Sequence, residues 1–166
     1  MKRLVLIRHA KSSWANPGVR NFDRPLSKFG KTDAAKIGRR LAQCSVVPDR
    51  LLSSPARRAF KTAEIIASAI GFPVGRITRL DLIYDAGVAD LMSILQELND
   101  AEEIVYLVGH NPGLTDLINS ICSASLDNLP TCGVFCADFE ISSWQEIGQK
   151  RGKFVFNDFP KQSLGG

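Results

Sequence analysis

The two histidines of the chain, His9 and His110, each follow a short apolar run and stand at the edge of a loop. Arg8 directly precedes the first of them, and the pair Arg57 and Arg58 follows a third apolar run. An imidazole can attack phosphorus or donate to a departing oxygen, and a guanidinium offers paired donors to phosphate oxygens. Brought together, these groups would repel one another unless they shared an anionic partner. The residue types therefore point to chemistry on a tetrahedral phosphate.

Short apolar runs alternate with longer amphipathic stretches along the chain, and this alternation predicts an α/β domain. The predicted strands are residues 4–7, 50–54, 75–78, 104–108, 133–141 and 153–159. His9 and His110 each follow the end of one strand, and the arginine pair follows another. Ligands of open parallel α/β sheets bind beyond the carboxyl ends of the strands. Both imidazoles are therefore expected to face one cleft.

Amphipathic spacing predicts helices between the strands. Ser27 can cap a helix over residues 28–44, and a second helix begins at the arginine pair. Two further helices each have one apolar face, formed by Leu91, Ile94, Leu95 and Leu98 in one and by Leu114, Leu117, Ile118 and Ile121 in the other. Asn111 is a good N-cap and Pro112 a good first helical residue. His110 would then lie at a helix N-terminus, which attracts anions.

The bulk composition bounds the class of protein. Its 166 residues are 45% hydrophobic and 23% charged, which predicts one globular domain over residues 1–166. No stretch reaches the ~20 apolar residues of a membrane span, and the apolar part of the N-terminus is too short for a signal peptide. These features predict a soluble cytoplasmic protein that binds no membrane. The formal charge of +4 mildly favours an anionic partner, but the basic residues are scattered, and nothing supports nucleic-acid binding.

The cysteines do not indicate a metal site. Cys44, Cys122, Cys132 and Cys136 form no CxxC pair, and two histidines are too few to complete a zinc site with them. We interpret these cysteines as small apolar residues in a reducing compartment. The chain also lacks the Walker-type nucleotide loop. The sequence therefore predicts neither a metal nor another cofactor.

Four blocks of sequence resemble those of a known family in order and spacing. They are "LIRHAKS" (6–12), "DRPLSKFG" (23–30), "SPARRAFKTA" (54–63) and "VGHNPGL" (108–114). The blocks resemble the histidine phosphatase superfamily, which includes the phosphoglycerate mutases. The short chain, Ala10 and the "RPLS" block are most similar to the small SixA-like phosphohistidine phosphatase branch. This resemblance implies a phosphoglycerate mutase-like, single-domain, three-layer sandwich with a mostly parallel central sheet and helices on both faces.

The resemblance also implies a role for each residue of the cluster. His9 would be the nucleophile that becomes phosphorylated, and Arg8 would hold phosphate oxygens beside it. Arg58 would be a second phosphate ligand, and His110 would complete the pocket. Arg57 would be turned about 100° away from Arg58 on helical geometry. The implied chemistry is attack of the histidine on phosphorus followed by hydrolysis of the phosphohistidine, with guanidiniums in place of a magnesium ion.

Two positions stay open at this point. Arg24 could line the entrance of the pocket or form a structural ion pair with Asp23 or another carboxylate. Many phosphomonoesterases of the superfamily carry a carboxylic acid ahead of the second histidine, where it protonates an alkoxide leaving group. Residues 79–91, "RLDLIYDAGVADL", lack the usual glutamate. Asp81 or Asp85 could serve as the acid, and a surface or capping role is the alternative.

Three hypotheses for function follow. The first is a metal-independent phosphohistidine phosphatase that acts on a phosphorylated protein or a small phosphoramidate. The second is a small-molecule phosphomonoesterase that uses Asp81 or Asp85 as its acid. The third is a phosphate-binding regulatory protein without turnover, against which the intact set of histidines and arginines argues. An imidazole can take a proton from solvent and depart as a neutral ring, so the missing glutamate favours the first hypothesis.

Overall fold

A six-stranded sheet forms the centre of the computed structural model, which describes residues 1–44 and 47–161. In chain order the strands are β1 (Lys2–Arg8), β2 (Arg50–Ser53), β3 (Thr78–Arg79), β4 (Ile104–Gly109), β5 (Val134–Phe139) and β6 (Lys153–Asp158). Across the sheet they lie in the order β3-β2-β4-β1-β5-β6, and the first four run parallel to one another. β5 pairs antiparallel with β1, and β6 pairs antiparallel with β5. The sheet is therefore mixed but mostly parallel.

In the described part of the chain, four helices cover the two faces of this sheet. They are α1 (Lys28–Cys44), α2 (Arg57–Ile70), α3 (Val88–Gln96) and α4 (Gly113–Ile121). α1 and α2 pack on one face, and α3 and α4 pack on the other. The predicted three-layer α/β fold is confirmed. None of these helices is both long and apolar enough to cross a membrane.

β1 shows how the sequence builds two cores at once. Leu4 and Leu6 enter the core shared with α3 and α4, whereas Val5 and Ile7 enter the core shared with α1 and α2. Successive side chains of a strand point to opposite faces, so a strand covered on both sides reads as a continuous apolar run. Trp144, which is 0% exposed, fills the α3/α4 side. The polar residues that follow β1 lie where the sheet ends.

The start of α1 agrees with the prediction from sequence. The backbone N–H of Gly30 donates to the hydroxyl oxygen of Ser27 at 3.0 Å, so Ser27 caps this helix. The start of α4 is one residue later than predicted, because Pro112 precedes the helix and does not form its first residue. The side-chain oxygen of Asn111 still accepts a hydrogen bond at the N-terminus of α4, from the backbone N–H of Thr115 at 3.2 Å.

The strand predicted over residues 75–78 is wrong in most of its length. Residues Val74–Arg76 form a 3-10 turn, and only Thr78 and Arg79 pair with β2. β3 lies at the edge of the sheet, so it has a partner on one side only. A short edge strand carries little apolar pattern, and its position depends on the neighbour that it pairs with.

The interpretation of the cysteines is supported for three of them. Cys122, Cys132 and Cys136 are buried, and burial raises the pKa of each thiol to about 12. They pack as small apolar groups, as buried thiols usually do. Cys44 is exposed at the end of α1.

Candidate active site

Three parallel strands end side by side at one edge of the sheet. β4 lies between β1 and β2, so His9 and His110, which follow β1 and β4, leave the sheet as neighbours. The centroids of the two imidazole rings are 5.1 Å apart. Arg58 reaches the same place from the first turn of α2, with its Nε 3.4 Å from Nε2 of His9. The structure thus brings both imidazoles and this guanidinium together beyond the carboxyl ends of the strands.

The tautomer of His9 follows from its contacts. Its Nδ1 lies 2.7 Å from the backbone carbonyl oxygen of Ala10. A carbonyl oxygen can only accept a hydrogen bond, so Nδ1 carries the proton and donates it. Nε2 of the neutral ring is therefore unprotonated, and its lone pair faces Arg58 through a long contact. This nitrogen is the one that can act as a nucleophile.

Both imidazoles are held neutral at physiological pH. Burial, together with the positive charges of Arg58, Arg8 and Arg24, lowers the pKa of His9 to about 4 against the opposing effect of the hydrogen bond to Ala10. Burial likewise lowers the pKa of His110 to about 3, and the charges of its neighbours act in the same direction. Desolvation and nearby like charges both disfavour a cationic imidazole. A bound anion would oppose these effects.

Arg8 is buried in part and lacks a partner for one donor. Its Nη1 donates to the carbonyl oxygen of Leu129 at 3.0 Å, but its Nε has no hydrogen-bond partner among the described residues. Burial lowers the pKa of this guanidinium. A buried donor without an acceptor costs free energy, and a phosphate oxygen is the kind of acceptor that would satisfy it.

Arg57 and Arg58 differ sharply in their surroundings. Arg58 is 7% exposed, and its Nη1 donates to the backbone oxygen of Asn21 at 2.6 Å. Arg57 is exposed on another side of α2. The structure therefore brings Arg58, and not Arg57, to the two histidines.

Arg24 is buried beside the same hollow as His9 and Arg58. Its Nε donates to the carbonyl oxygen of Ser13 at 3.2 Å, and its other nitrogens donate to the side-chain oxygens of Asn21 and Ser12. The exposed ring of Trp14 lies 3.1 Å from the guanidinium carbon. The alternative of an ion pair with Asp23 is wrong, because the Asp23 carboxylate pairs with Arg20 at 2.8 Å.

The described residues Arg8, His9, Arg24 and Arg58 line one hollow of about 470 Å³, which we call the histidine cleft. His110 lies against His9 but is not among the lining residues of this hollow. The other described residues in its wall are Lys11, Ser12, Trp14, Ser27 and Thr131. This part of the wall contains cations, hydroxyls and one aromatic ring, but it contains no carboxylate. It can surround a phosphoryl group with donors, and it offers no carboxylic acid to a leaving group.

Asp81 and Asp85 are not brought into the histidine cleft. Both are exposed, and Asp81 instead lines a separate hollow with Arg50 and Leu80. Asp85 has a positive φ of 57°, which marks it as a turn residue. Their positions fit the surface or turn alternative.

Sequence reasoning missed two residues beside His110. The hydroxyl oxygen of Ser54 lies 2.7 Å from Nε2 of His110, and the ring of Tyr84 packs edge-on against the imidazole with centroids 5.5 Å apart. The phenol oxygen of Tyr84 accepts a hydrogen bond from the side chain of Asn21 at 3.0 Å. Tyr84 lies between Asp81 and Asp85 in sequence, and its phenol is the polar group of that segment that reaches His110.

We expect tetrahedral oxyanions to bind between His9 and His110. Inorganic phosphate at ~100 times its dissociation constant should stabilise the protein by roughly 2.7 kcal/mol. For a chain of this size the melting temperature should rise by about 5–10 °C. Vanadate and tungstate should act in the same way. Thermal melts with phosphate, compared with chloride at equal ionic strength, measure this effect, and equal melting temperatures in the two salts would exclude the site.

We also expect both histidines to titrate well below the ordinary pKa of 6.5. The free protein contains two histidines, so its proton NMR spectrum contains two imidazole C2–H signals to follow. The midpoints should lie near 4 for His9 and near 3 for His110, because both rings are desolvated among positive charges. Saturating phosphate should move both midpoints upward, since an anion favours the cationic ring. A midpoint at 6.5 for His9 in the free protein would contradict its burial among guanidiniums.

Sequence comparison matches the chain to one family model and to several known proteins. The model of the histidine phosphatase superfamily (branch 1) matches residues 4–84. A chloroplastic protein of Arabidopsis thaliana, which is uncharacterized, is 31% identical over 153 residues, and the alignment covers 87% of this chain and 70% of the relative. Phosphoglycerate mutase 1 of Saccharomyces cerevisiae matches 49% of this chain, but the chain spans 35% of that enzyme.

Solved structures share the whole fold. SixA of Agrobacterium tumefaciens is 29% identical and has a TM-score of 0.78, with 94% of this chain and 97% of that chain covered. The protein histidine phosphatase SixA complexed with tungstate has a TM-score of 0.81 at 20% identity, with 95% of this chain and 97% of that chain covered. These likenesses extend over the C-terminal strands, which lie beyond the residues that the superfamily model matches.

Proposed function

Because the chain belongs to the histidine phosphatase superfamily, we propose that it is a phosphohistidine phosphatase. It hydrolyses a phosphoryl group from a phosphorylated protein or a small phosphoramidate, and it does so through a covalent phosphohistidine on His9. The composition of the histidine cleft carries this proposal, since an unprotonated imidazole nitrogen lies among guanidiniums and no carboxylate lines the described wall. The described wall offers groups that can serve as a nucleophile and as phosphate ligands, but it offers no carboxylic acid for a basic leaving group.

In the first step, Nε2 of His9 attacks phosphorus in line with the leaving nitrogen. The bond from phosphorus to the substrate nitrogen breaks as the bond to Nε2 forms. The leaving imidazole takes its proton from solvent and departs as a neutral ring. Arg8 and Arg58 donate to the phosphoryl oxygens, on which negative charge is spread in a loose transition state. The hydrogen bond from Nδ1 to Ala10 stabilises the positive charge that His9 acquires.

In the second step, water attacks the phosphohistidine. The bond from phosphorus to Nε2 breaks, one proton of the water is released to solvent, and inorganic phosphate leaves the cleft. His9 regains its neutral tautomer, because Nδ1 has kept its proton throughout. The guanidiniums supply the positive charge for both steps, so the proposed reaction needs no metal ion.

The comparisons support the substrate class. The related structure with tungstate is that of a protein histidine phosphatase, and tungstate is a tetrahedral oxyanion with the geometry of phosphate. Of the two alternatives, the phosphomonoesterase has less support, because neither Asp81 nor Asp85 lines the histidine cleft. The binding protein without turnover has less support as well, because the lone pair of His9 lies among the phosphate ligands.

The test is to trap the intermediate. The protein is mixed with a phosphohistidine peptide, quenched in alkali, in which phosphohistidine is stable, and analysed by mass spectrometry. We expect a phosphoryl group on the peptide that contains His9, and treatment with acid should remove it. A label on His110 would reverse the two roles. Release of phosphate with no label at any mixing time would favour direct attack by water.

We expect Arg58→Ala to weaken the binding of inorganic phosphate by roughly 1.5–3 kcal/mol, the usual value of a hydrogen bond to a charged group. The guanidinium of Arg58 lies against His9, so it is placed to touch the same anion. Arg57→Ala is the matched control, because it removes the same charge from the next residue on an exposed side of α2. Titration calorimetry compares the two variants, and equal losses would mean that general charge, and not contact, holds the phosphate.

A further inference from the structure

A second hollow, of about 500 Å³, lies beside the histidine cleft. Four cations line it, and we call it the basic hollow: Lys31 of α1, Arg57 and Lys61 of α2, and Arg79 of β3. All four are exposed. The apolar part of its wall includes two aromatic rings, those of Phe22 and Phe60, and the guanidinium of Arg79 lies 4.0 Å from the centroid of the Phe60 ring.

The positive charges of the basic hollow are not neutralised by carboxylates of its own wall. None of its four cations forms an ion pair with another described residue. Two carboxylates also line the hollow, and one of them, Asp23, is already paired with Arg20 at 2.8 Å. Glu64 alone is left to oppose four cations. A concave surface with an excess of positive charge attracts and steers a negatively charged partner.

The basic hollow and the histidine cleft are divided by a short stretch of chain. Arg24 and Ser27 line the histidine cleft, whereas Pro25 and Leu26, which lie between them in sequence, line the basic hollow. Arg58 and Arg57 divide in the same way. Consecutive Cα atoms are about 3.8 Å apart, so the two hollows are immediate neighbours. A macromolecule with its phosphorylated side chain in one hollow would cover the other.

We propose that the basic hollow binds an acidic segment of the phosphorylated protein whose phosphohistidine enters the histidine cleft. This inference rests on the proposed phosphohistidine phosphatase function. The four cations are exposed, long and carried by three different elements, so they do not enclose a small anion as the buried arginines of the histidine cleft do. Exposed cations around an apolar surface are complementary to a peptide segment that carries several carboxylates together with apolar side chains. The cations of the basic hollow then affect the rate of association and the choice of partner more than the chemical step.

The experiment compares two synthetic phosphohistidine peptides, one with Asp and Glu flanking the phosphorylated residue and one with Asn and Gln at the same positions. The wild-type protein should show a higher kcat/KM for the acidic peptide. The double variant Lys31→Glu with Lys61→Glu should lower that value roughly tenfold, because each reversed charge replaces an attraction by a repulsion. Its kcat/KM for a small phosphoramidate should change less than about twofold, since neither lysine lines the histidine cleft. Lys150→Glu, at an exposed cation outside both hollows, is the control.

Binding of the unphosphorylated peptides, measured by fluorescence anisotropy, keeps the inference separate from catalysis. The acidic peptide should bind the wild-type protein more tightly than the neutral peptide, and the double variant should remove this difference. This readout holds even if neither phosphopeptide is turned over, a result that would defeat the proposed function alone. Equal binding of the two peptides by the wild-type protein, or an equal loss of binding in Lys150→Glu, would overturn the proposal.

Discussion

His9→Ala is expected to leave no measurable turnover and no trapped phosphoryl group, while the protein remains folded. His9 provides the unprotonated nitrogen in the histidine cleft, and no carboxylate or thiol lines the described wall to replace it. The Nδ1 of His9 bonds to the neighbouring carbonyl of Ala10, so the substitution removes no hydrogen bond from this atom to another element of the fold. The rate of phosphate release from a phosphohistidine peptide measures the first effect. The melting temperature measures the second.

His110→Ala is the informative contrast. It removes the second imidazole but keeps the acceptor, so the phosphoryl group should still be trapped on His9, at a slower rate. If His9→Ala retained turnover while His110→Ala abolished it, the nucleophile would have been assigned to the wrong ring. If both variants melted at the wild-type temperature and kept full activity, neither histidine would take part in the reaction.

The second large effect concerns the leaving group. We expect the protein to hydrolyse phosphohistidine or a phosphoramidate about 10²–10⁴-fold faster than an alkyl phosphate such as phosphoglycerate. This factor is the rate enhancement that general acid catalysis usually provides. An alkoxide is strongly basic and leaves slowly unless an acid protonates it, whereas an imidazole takes its proton from solvent near neutral pH. Aryl phosphates should fall between the two. A panel of these substrates at equal concentration, assayed for released phosphate, measures the order.

Asp81→Asn and Asp85→Asn control this prediction. Each should lower the rate of phosphohistidine hydrolysis by less than about tenfold, because neither carboxylate donates a proton in the proposed reaction. Both residues are exposed and lie outside the histidine cleft. Efficient hydrolysis of an alkyl phosphate that disappears in either variant would replace the phosphohistidine phosphatase with a phosphomonoesterase.

The predictable elements are the strands and helices whose own sequence pattern identifies them. β1 and β4 are continuous apolar runs buried on both faces. A strand of this kind can be predicted from its own residues, without knowledge of the strands that pair with it. The position of the histidines after these strands is enough to bring the two rings to one edge, because parallel neighbours end together. Helical geometry predicts that Arg57 and Arg58 point in different directions, and the family resemblance selects Arg58 as the one that faces the histidines.

The parts that were not predictable depend on segments that meet only in the folded chain. Tyr84 packs against His110 and accepts from Asn21, although the three residues lie far apart in sequence. Arg24 bonds to a hydroxyl, an amide and a carbonyl, and no spacing rule distinguishes these partners from the carboxylate of Asp23. The edge strand β3 is set by its pairing with β2 and not by its own residues.

The ring of Trp14 over Arg24 gives the protein a built-in optical signal. The chain has two tryptophans, and Trp144 is sealed in the core, where a ligand in the histidine cleft does not reach it. Trp14 is 76% exposed and borders that cleft directly, against a guanidinium whose field is felt by the indole. We therefore expect the emission of Trp144 to stay constant and the emission of Trp14 to change when an anion enters the cleft. Occupancy of the cleft can be followed by intrinsic fluorescence in the unlabelled wild-type chain, including during the approach to steady state.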